Sequence, residues 1–174
     1  SDWNDIETNF KRLISLPENV KVQVYSVFQF MNIFELSKLI YWLKNLEYER
    51  PVHFWPIILE QPLYMRTTVV PESLRDDAIE KYFDVLRISN RYLPNINQGI
   101  KRIIQTLKGE WKPEAMFGDF YHKVKQTKEN QLIMFFQHIY FMEKKGKSNF
   151  VKTFPEFSEL YEKYKPKARV DISG

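Results

Sequence analysis

Hydrophobic positions recur along the chain at two different spacings, and each change of spacing marks an element. Trp3, Ile6, Phe10, Leu13 and Ile14 fall at intervals of mostly three and four, which places them on one face of an amphipathic helix. Asp2 stands where a cap is needed, and Pro17 with Asn19 ends the run. In residues 20–28 the period changes. Val20, Val22 and Val24 alternate with polar residues, and the pattern then turns apolar at both parities. That predicts a β-strand buried on both faces at its far end. Asn32, followed three residues later by Glu35, reads as a helix start in the style of a capping box. The helix carries Leu36, Leu39, Ile40, Leu43 and Leu46 inward, with Glu35, Lys38, Lys44 and Asn45 outward. A second strand is predicted over residues 52–59. Pro56 has no N–H to give to a ladder, so it requires an edge strand or a break there.

Strand, helix, strand with short links is a βαβ unit, which implies parallel strands and a right-handed crossover. Pro71 is placed to open the next helix, with Glu72, Asp76 and Asp77 near its positive end and Leu74, Ala78, Tyr82 and Leu86 toward the core. From residue 95 onward only helical stripes appear. Ile96, Ile100, Ile103, Ile104 and Leu107 form one, stopped by Gly109. Phe117, Phe120, Tyr121 and Val124 form the next, and Leu132, Phe135, Phe136, Ile139 and Met142 a third, stopped near Gly146. Thr153 and Glu156 frame a last helix start, and Pro166 marks its end. The fold class expected is therefore α/β and helix-rich: a partial (β/α) barrel-like βαβ unit over residues 1–94, a C-terminal bundle of helices over 95–165, and a flexible tail over 166–174. A lone pair of strands does not make a stable sheet. Either further strands pair with it, or it is a slice of a larger α/β barrel.

Composition narrows the function classes. Hydrophobic residues make up 44% of the 174, aromatics 16%, and there are only five glycines, which is the composition of a chain that folds around a core. There is no cysteine, so disulfides and thiolate ligands are excluded. His53, His122 and His138 are scattered without ligand spacing, so no metal site of the chain's own is expected. The glycines form no phosphate-cradling loop, and no catalytic residue declares itself. No apolar run approaches the roughly 18–20 residues of a membrane span. The acidic N-terminus lacks the features of a secretory signal, so no membrane and a cytoplasmic setting are expected. Charge is uneven: residues 1–98 hold 11 basic against 13 acidic residues, leaving 15 against 9 for the rest. The basic half consists mostly of lysines off the apolar stripes, and the aromatics recur at helical spacing as core residues do. A nucleic-acid partner is not expected.

One geometric rule points to a site. In parallel α/β folds, ligands bind at the carboxyl ends of the strands. Those ends are residues 29–32 and 59–61. Gln29 and Gln61 are placed to hydrogen-bond a polar substrate, and Glu60 to act as a base, bind a cation, or stand as a surface carboxylate. Asn32 serves either a ligand or a helix cap.

The order of these features resembles a known family. The segment NFKRLISLPENVKVQVYSVFQFMNIFELSKLIYWLKN resembles the later part of a radical SAM barrel: helix, strand five, Asn, helix. HFWPIILEQPLYMRTTVVPESLRDDAIE resembles strand six, its proline-leucine link and the following helix start. MEKKGKSNFVKTFPEFSELYEKY resembles the closing NF…FPEL segment of twitch-containing radical SAM proteins. The likeness covers most of residues 4–164. It implies a partial barrel that helps to hold S-adenosylmethionine (SAM) and substrate, in a parent protein whose [4Fe–4S] cluster cleaves SAM reductively. It also implies that Ile58 and Leu59 lie near the SAM adenine and that Asn32 matches the family's Asn after strand five. The family's CxxxCxxC cluster loop has no counterpart here. The resemblance therefore implies a C-terminal portion that is inactive alone and carries no cofactor of its own. The partner implied is the N-terminal half of the barrel; the alternative is a helical interaction module, phage or bacterial, that pairs its exposed strands with a partner or with a second copy.

Overall fold

The computed structural model describes residues 2–17, 19–110, 127–146 and 149–170. The stripe read at 117–124, with His122, lies outside them. The elements are α1 (Trp3–Ile14), β1 (Val22–Phe28), α2 (Glu35–Asn45), β2 (Val52–Ile58), α3 (Glu72–Arg87), α4 (Ile96–Leu107), α5 (Lys128–Lys144), the single turn α6 (Phe150–Thr153) and α7 (Ser158–Val170). Short 3₁₀ turns follow both strands and precede α7. The protein is helix-rich α/β, as expected, and no described helix is long and apolar enough to cross a membrane.

β1 and β2 pair in parallel, with Val22 opposite Val52 and Phe28 opposite Ile58. The even-numbered residues of both strands face a layer of helices. Val22, Phe28, Val52 and Phe54 are buried there, and α4 packs on β2. Gly99 makes that approach possible: a Cβ at this position would meet Pro56 Cδ at 3.1 Å and Phe54 Cδ1 at 3.2 Å. The odd-numbered residues face away from the helices. Tyr25, Val27, Trp55 and Ile57 stay 61%, 43%, 40% and 48% exposed. The far end of β1 is thus buried on one face only, which departs from the pattern read in the sequence. Apolar residues at both parities there do not mean two covered faces.

α1 departs in the same direction. Its apolar stripe exists, yet only Ile14 is buried, while Trp3, Ile6 and Leu13 remain exposed. Trp3 and Phe10 instead lean on Trp42 of α2, with ring centroids 5.1 and 5.2 Å away. Lys44, expected outward on α2, is 3% exposed. Its ammonium donates to the carbonyls of Val85 and Ile88 and to Asn97 Oδ1, each at 2.7 Å. A cation at the end of α3 adds a bond to the Val85 carbonyl, which also accepts from Ile88 N–H, and reaches the Ile88 carbonyl beyond the last turn; desolvation lowers its pKa from the usual lysine value. Arg50, buried ahead of β2, does the same for α1 and its exit: it donates to Pro17 and Val20 carbonyls at 2.6 and 2.7 Å and to the Leu13 carbonyl. Arg75 likewise donates to the Leu107 carbonyl at the end of α4.

The C-terminal helices close over the turns that follow the strands. Phe30, directly after β1, stacks on Phe135 of α5 at 3.8 Å and lies 5.3 Å from Phe157. Phe150 sits among Phe135, Phe136, Phe154, Phe157 and Tyr161. Asn149 caps α6 by accepting from Lys152 N–H at 3.1 Å. Thr153 caps no helix, because its hydroxyl donates back to the Asn149 carbonyl. Pro155 opens the 3₁₀ turn before α7, which starts at Ser158, not at Thr153. Pro166 does not stop α7 either. The helix runs through it to Val170, held by buried Tyr164 and Ala168 and by Lys167 on Glu129 at 2.5 Å. Tertiary anchoring on both sides outweighs the missing N–H. The tail expected from 166 is helical to 170, and residues 171–174 lie outside the description.

Candidate functional site

The carboxyl ends of β1 and β2 are where the parallel pair offers a ligand its backbone and loops. After β1, Asn32 does not cap α2, whose N-cap position is Phe34. Asn32 closes the intervening turn instead: its Oδ1 accepts from Gln29 N–H at 2.9 Å and its Nδ2 donates to the Val27 carbonyl at 2.7 Å. Both polar ends of the side chain are thus committed to the backbone. Gln29 is half-buried in the same turn.

After β2 the arrangement is different. Glu60 pairs with Arg66, Oε2 to Nη2 at 3.0 Å, and Arg66 Nε donates to the Glu60 carbonyl at 2.9 Å. The chain therefore bends back on itself between strand and 3₁₀ turn. Ile58, Leu59, Glu60, Arg66, Thr67 and Thr106, with Thr68, line a cavity of about 170 Å³ there. Gln61 is exposed and does not line it. The structure thus brings Ile58, Leu59 and Glu60 together and leaves Gln29, Asn32 and Gln61 elsewhere. Ile58 packs against the helical core, while its neighbour Ile57 presents its side chain to the bare face of the sheet.

This site contains residues that the sequence does not announce. Arg66 follows Glu60 by six positions across the short 3₁₀ turn Leu63–Met65, a spacing that carries no periodic signal in the sequence. Thr106 comes from α4, where its hydroxyl donates to the Arg102 carbonyl at 2.8 Å. α5 reaches the same end of the sheet through His138, whose ring centroid lies 6.0 Å from that of Tyr64. A carboxylate already paired with a guanidinium is a hydrogen-bonding and orienting group, not a free base. Threonine hydroxyls and Leu59 beside it suit a small polar–apolar ligand edge. Among the described residues, no three His, Asp or Glu side chains converge so as to hold a metal ion.

No protein-family model, curated protein or solved structure matches the chain. Tyr25, Val27, Trp55 and Ile57 form an apolar surface, with Gln23 and His53 toward the amino ends of the strands. A hollow of about 480 Å³ opens at that amino end, lined in part by Gln23, Arg50, His53 and Trp55.

Proposed function

We propose that residues 1–174 are the C-terminal portion of a radical SAM enzyme, forming part of a barrel wall on the side where SAM and substrate sit. The observation that carries this reading is the sheet itself: a parallel β1–α2–β2 unit with helices on one face and apolar side chains left bare on the other. A wall of a (β/α) barrel has that construction, helices outside and a packed interior within. The turns at the strands' carboxyl ends then border the ligand, with Leu59, Glu60 and the Thr67 region nearest, Ile58 behind them, and Asn32, Gln29 and Gln61 shaping the rim.

The fit to the family's cofactors differs between the two. The chain has no cysteine, so its residues do not fit a [4Fe–4S] cluster, and no step of SAM cleavage is assigned to them. The cavity beside Leu59 combines apolar surface with the hydroxyls of Thr67 and Thr68 and the oxygen of Thr106, whose proton goes to the Arg102 carbonyl, a polar–apolar lining that suits the edge of a nucleoside. In this reading the chain contributes shape and positioning in a cytoplasmic parent enzyme. The competing reading, a free-standing interaction module, draws on the unpaired outer edge of β1.

Anaerobic reconstitution with iron and sulfide tests the proposal. The chain alone should take up no stoichiometric cluster and cleave no SAM, while a longer polypeptide that supplies a CxxxCxxC loop ahead of it should do both. SAM cleavage by residues 1–174 alone, or a longer natural polypeptide with no such loop, refutes it.

A further inference from the structure

The two edges of the sheet are not equivalent. The Phe28 carbonyl accepts from Leu59 N–H at 2.9 Å, so in the parallel ladder the even residues of β1 bond β2 while Gln23, Tyr25 and Val27 turn N–H and C=O outward. On β2 the outward residues are Val52, Phe54, Pro56 and Ile58. That edge is closed. Val52 N–H donates to the Tyr92 carbonyl at 2.8 Å. Asn95 clamps Phe54 as a strand would, accepting from its N–H at 3.0 Å and donating to its C=O at 2.8 Å. Pro56 has no N–H to offer. On β1 only the Val27 carbonyl is taken, by Asn32. Among the described residues nothing pairs with the outward groups of Gln23 and Tyr25.

The helices on the other face lie in a matching order. α4 covers β2, α3 packs on α4, and α2 packs on α3. α1 comes last, against Trp42 of α2, at the β1 flank. A groove of about 410 Å³ between α1 and α2 opens beside β1, lined by Trp3, Ser26, Leu36 and Leu39 among others. α1 then enters β1 through a short link, as α2 enters β2. It sits where the crossover helix of a parallel strand next to β1 would sit, and it lacks only that strand.

We propose that the outer edge of β1 is a docking site for one further strand, parallel to β1 and supplied by polypeptide N-terminal to α1. The strand continues the β1–β2 ladder through Gln23 and Tyr25, and its alternate side chains fill the groove under Trp3. Because the β2 edge is closed, one strand is added on one side only. This deepens the proposed function, which supplies a polypeptide in that position, but the edge geometry does not depend on SAM chemistry.

The test joins residues 1–174 to the polypeptide encoded directly upstream and follows amide hydrogen exchange. In the chain alone, the amides of Gln23 and Tyr25 should exchange rapidly. In the joined protein they should slow by on the order of 100-fold or more, with a blue shift of Trp3 fluorescence. Tyr25→Pro, which an exposed edge tolerates, should abolish the slowing at Gln23 while leaving the melting of the chain alone unchanged; Gln23→Pro, read at the Tyr25 amide, serves if that variant misfolds. Rapid exchange at both amides in the joined protein overturns the proposal, as does an upstream region that encodes no polypeptide. Concentration-dependent protection in the chain alone, with a dimer in sedimentation, overturns it in favour of a second copy. A joined protein that protects the edge but binds no cluster refutes the radical SAM reading alone; one that cleaves SAM with both amides exposed refutes the strand addition alone.

Discussion

Asn95 carries the clearest energetic consequence of this architecture. It occupies the N-cap position of α4 yet makes no side-chain cap there. Both ends of its amide are spent on Phe54, at 3.0 and 2.8 Å. Asn95→Ala removes both bonds and leaves the N–H and C=O of a strand residue without partners. Each such bond contributes about 0.5–1.5 kcal/mol net, and a buried group left unpaired costs about 1–3 kcal/mol. Asn95 is only half-buried, so water can enter the vacated space and the lower end of that range applies. The expected loss is about 2–3 kcal/mol. At about 2–4 °C per kcal/mol for a chain of this size, Tm should fall by about 4–12 °C in calorimetry, with faster exchange at the Phe54 amide. Asn95→Asp adds a sign. An ionised carboxylate still accepts from the N–H but opposes the carbonyl, so Asn95→Asp should be destabilised near pH 7 and partly recover below about pH 4, where a protonated Asp donates again. A Tm within about 1 °C of wild type for Asn95→Ala refutes the clamp. So does an Asn95→Asp deficit that does not change with pH.

Three further perturbations follow from the same contacts. Gly99→Ala gains up to about 1 kcal/mol of helix propensity but drives a methyl to 3.1–3.2 Å from the Pro56 and Phe54 rings; overpacking costs about 1–3 kcal/mol, so the variant should melt lower, and a rise in Tm contradicts the close approach. Arg50→Ala removes three bonds, to the Leu13, Pro17 and Val20 carbonyls, of which Leu13 and Pro17 keep a backbone donor, and should cost about 2–4 kcal/mol in denaturant melts, with Arg50→Lys recovering only part of it; an unchanged midpoint argues against the role. In alkaline titration followed by tyrosine absorbance, Tyr164 should ionise late, its hydroxyl pushed up to about 12 by burial and by its bond to Glu129, while burial holds Tyr48 and Tyr82 protonated still longer. The folded state keeps the Tyr164 proton after the unfolded state has released it. Its contribution to stability is therefore complete below about pH 10 and lost as pH rises toward about 12. Simultaneous ionisation of all tyrosines near 10 in a still-folded protein refutes this.

Local periodicity reveals most of this fold, and the departures have a common cause. α4 and α5 are legible because their stripes are buried along their length: Ile96, Ile100, Ile103 and Leu107 in one, Leu132, Phe135, Phe136 and Ile139 in the other. The parallel pair was legible from strand–helix–strand with short links, and Pro56 did fall on an edge. What periodicity does not carry is which polar residue turns inward. Lys44 sits on the outward side of its helix by spacing, and its partners lie 41 to 53 positions away. Asn32 precedes a helix and reads as a cap, and Asn95, which the sequence does not single out, stands at the N-cap position of α4; each is spent on strand backbone instead. The Glu60–Arg66 bend follows from a turn geometry that the residue types leave open.

The buried charges sharpen what this chain can contribute to a site. Buried Lys44 and Arg50 and half-buried Arg75 each donate to carbonyls at helix ends and exits. None of these bonds reaches the carboxyl ends of the strands. Lys44 and Arg50 are buried cations whose bonds go to neutral oxygens, and removing such acceptors would leave a buried charge uncompensated. They hold α1, α3 and α4 against the sheet. The polar groups left at the ligand end are Glu60, Arg66 and three threonines, and the sheet face beyond them is apolar. In the proposed reading such a set orients and encloses a ligand. That division, rigid charge behind the sheet and apolar wall in front, is the construction on which the proposed barrel segment rests. It is also why the open edge of β1, where that other polypeptide would join, is the most informative place to probe.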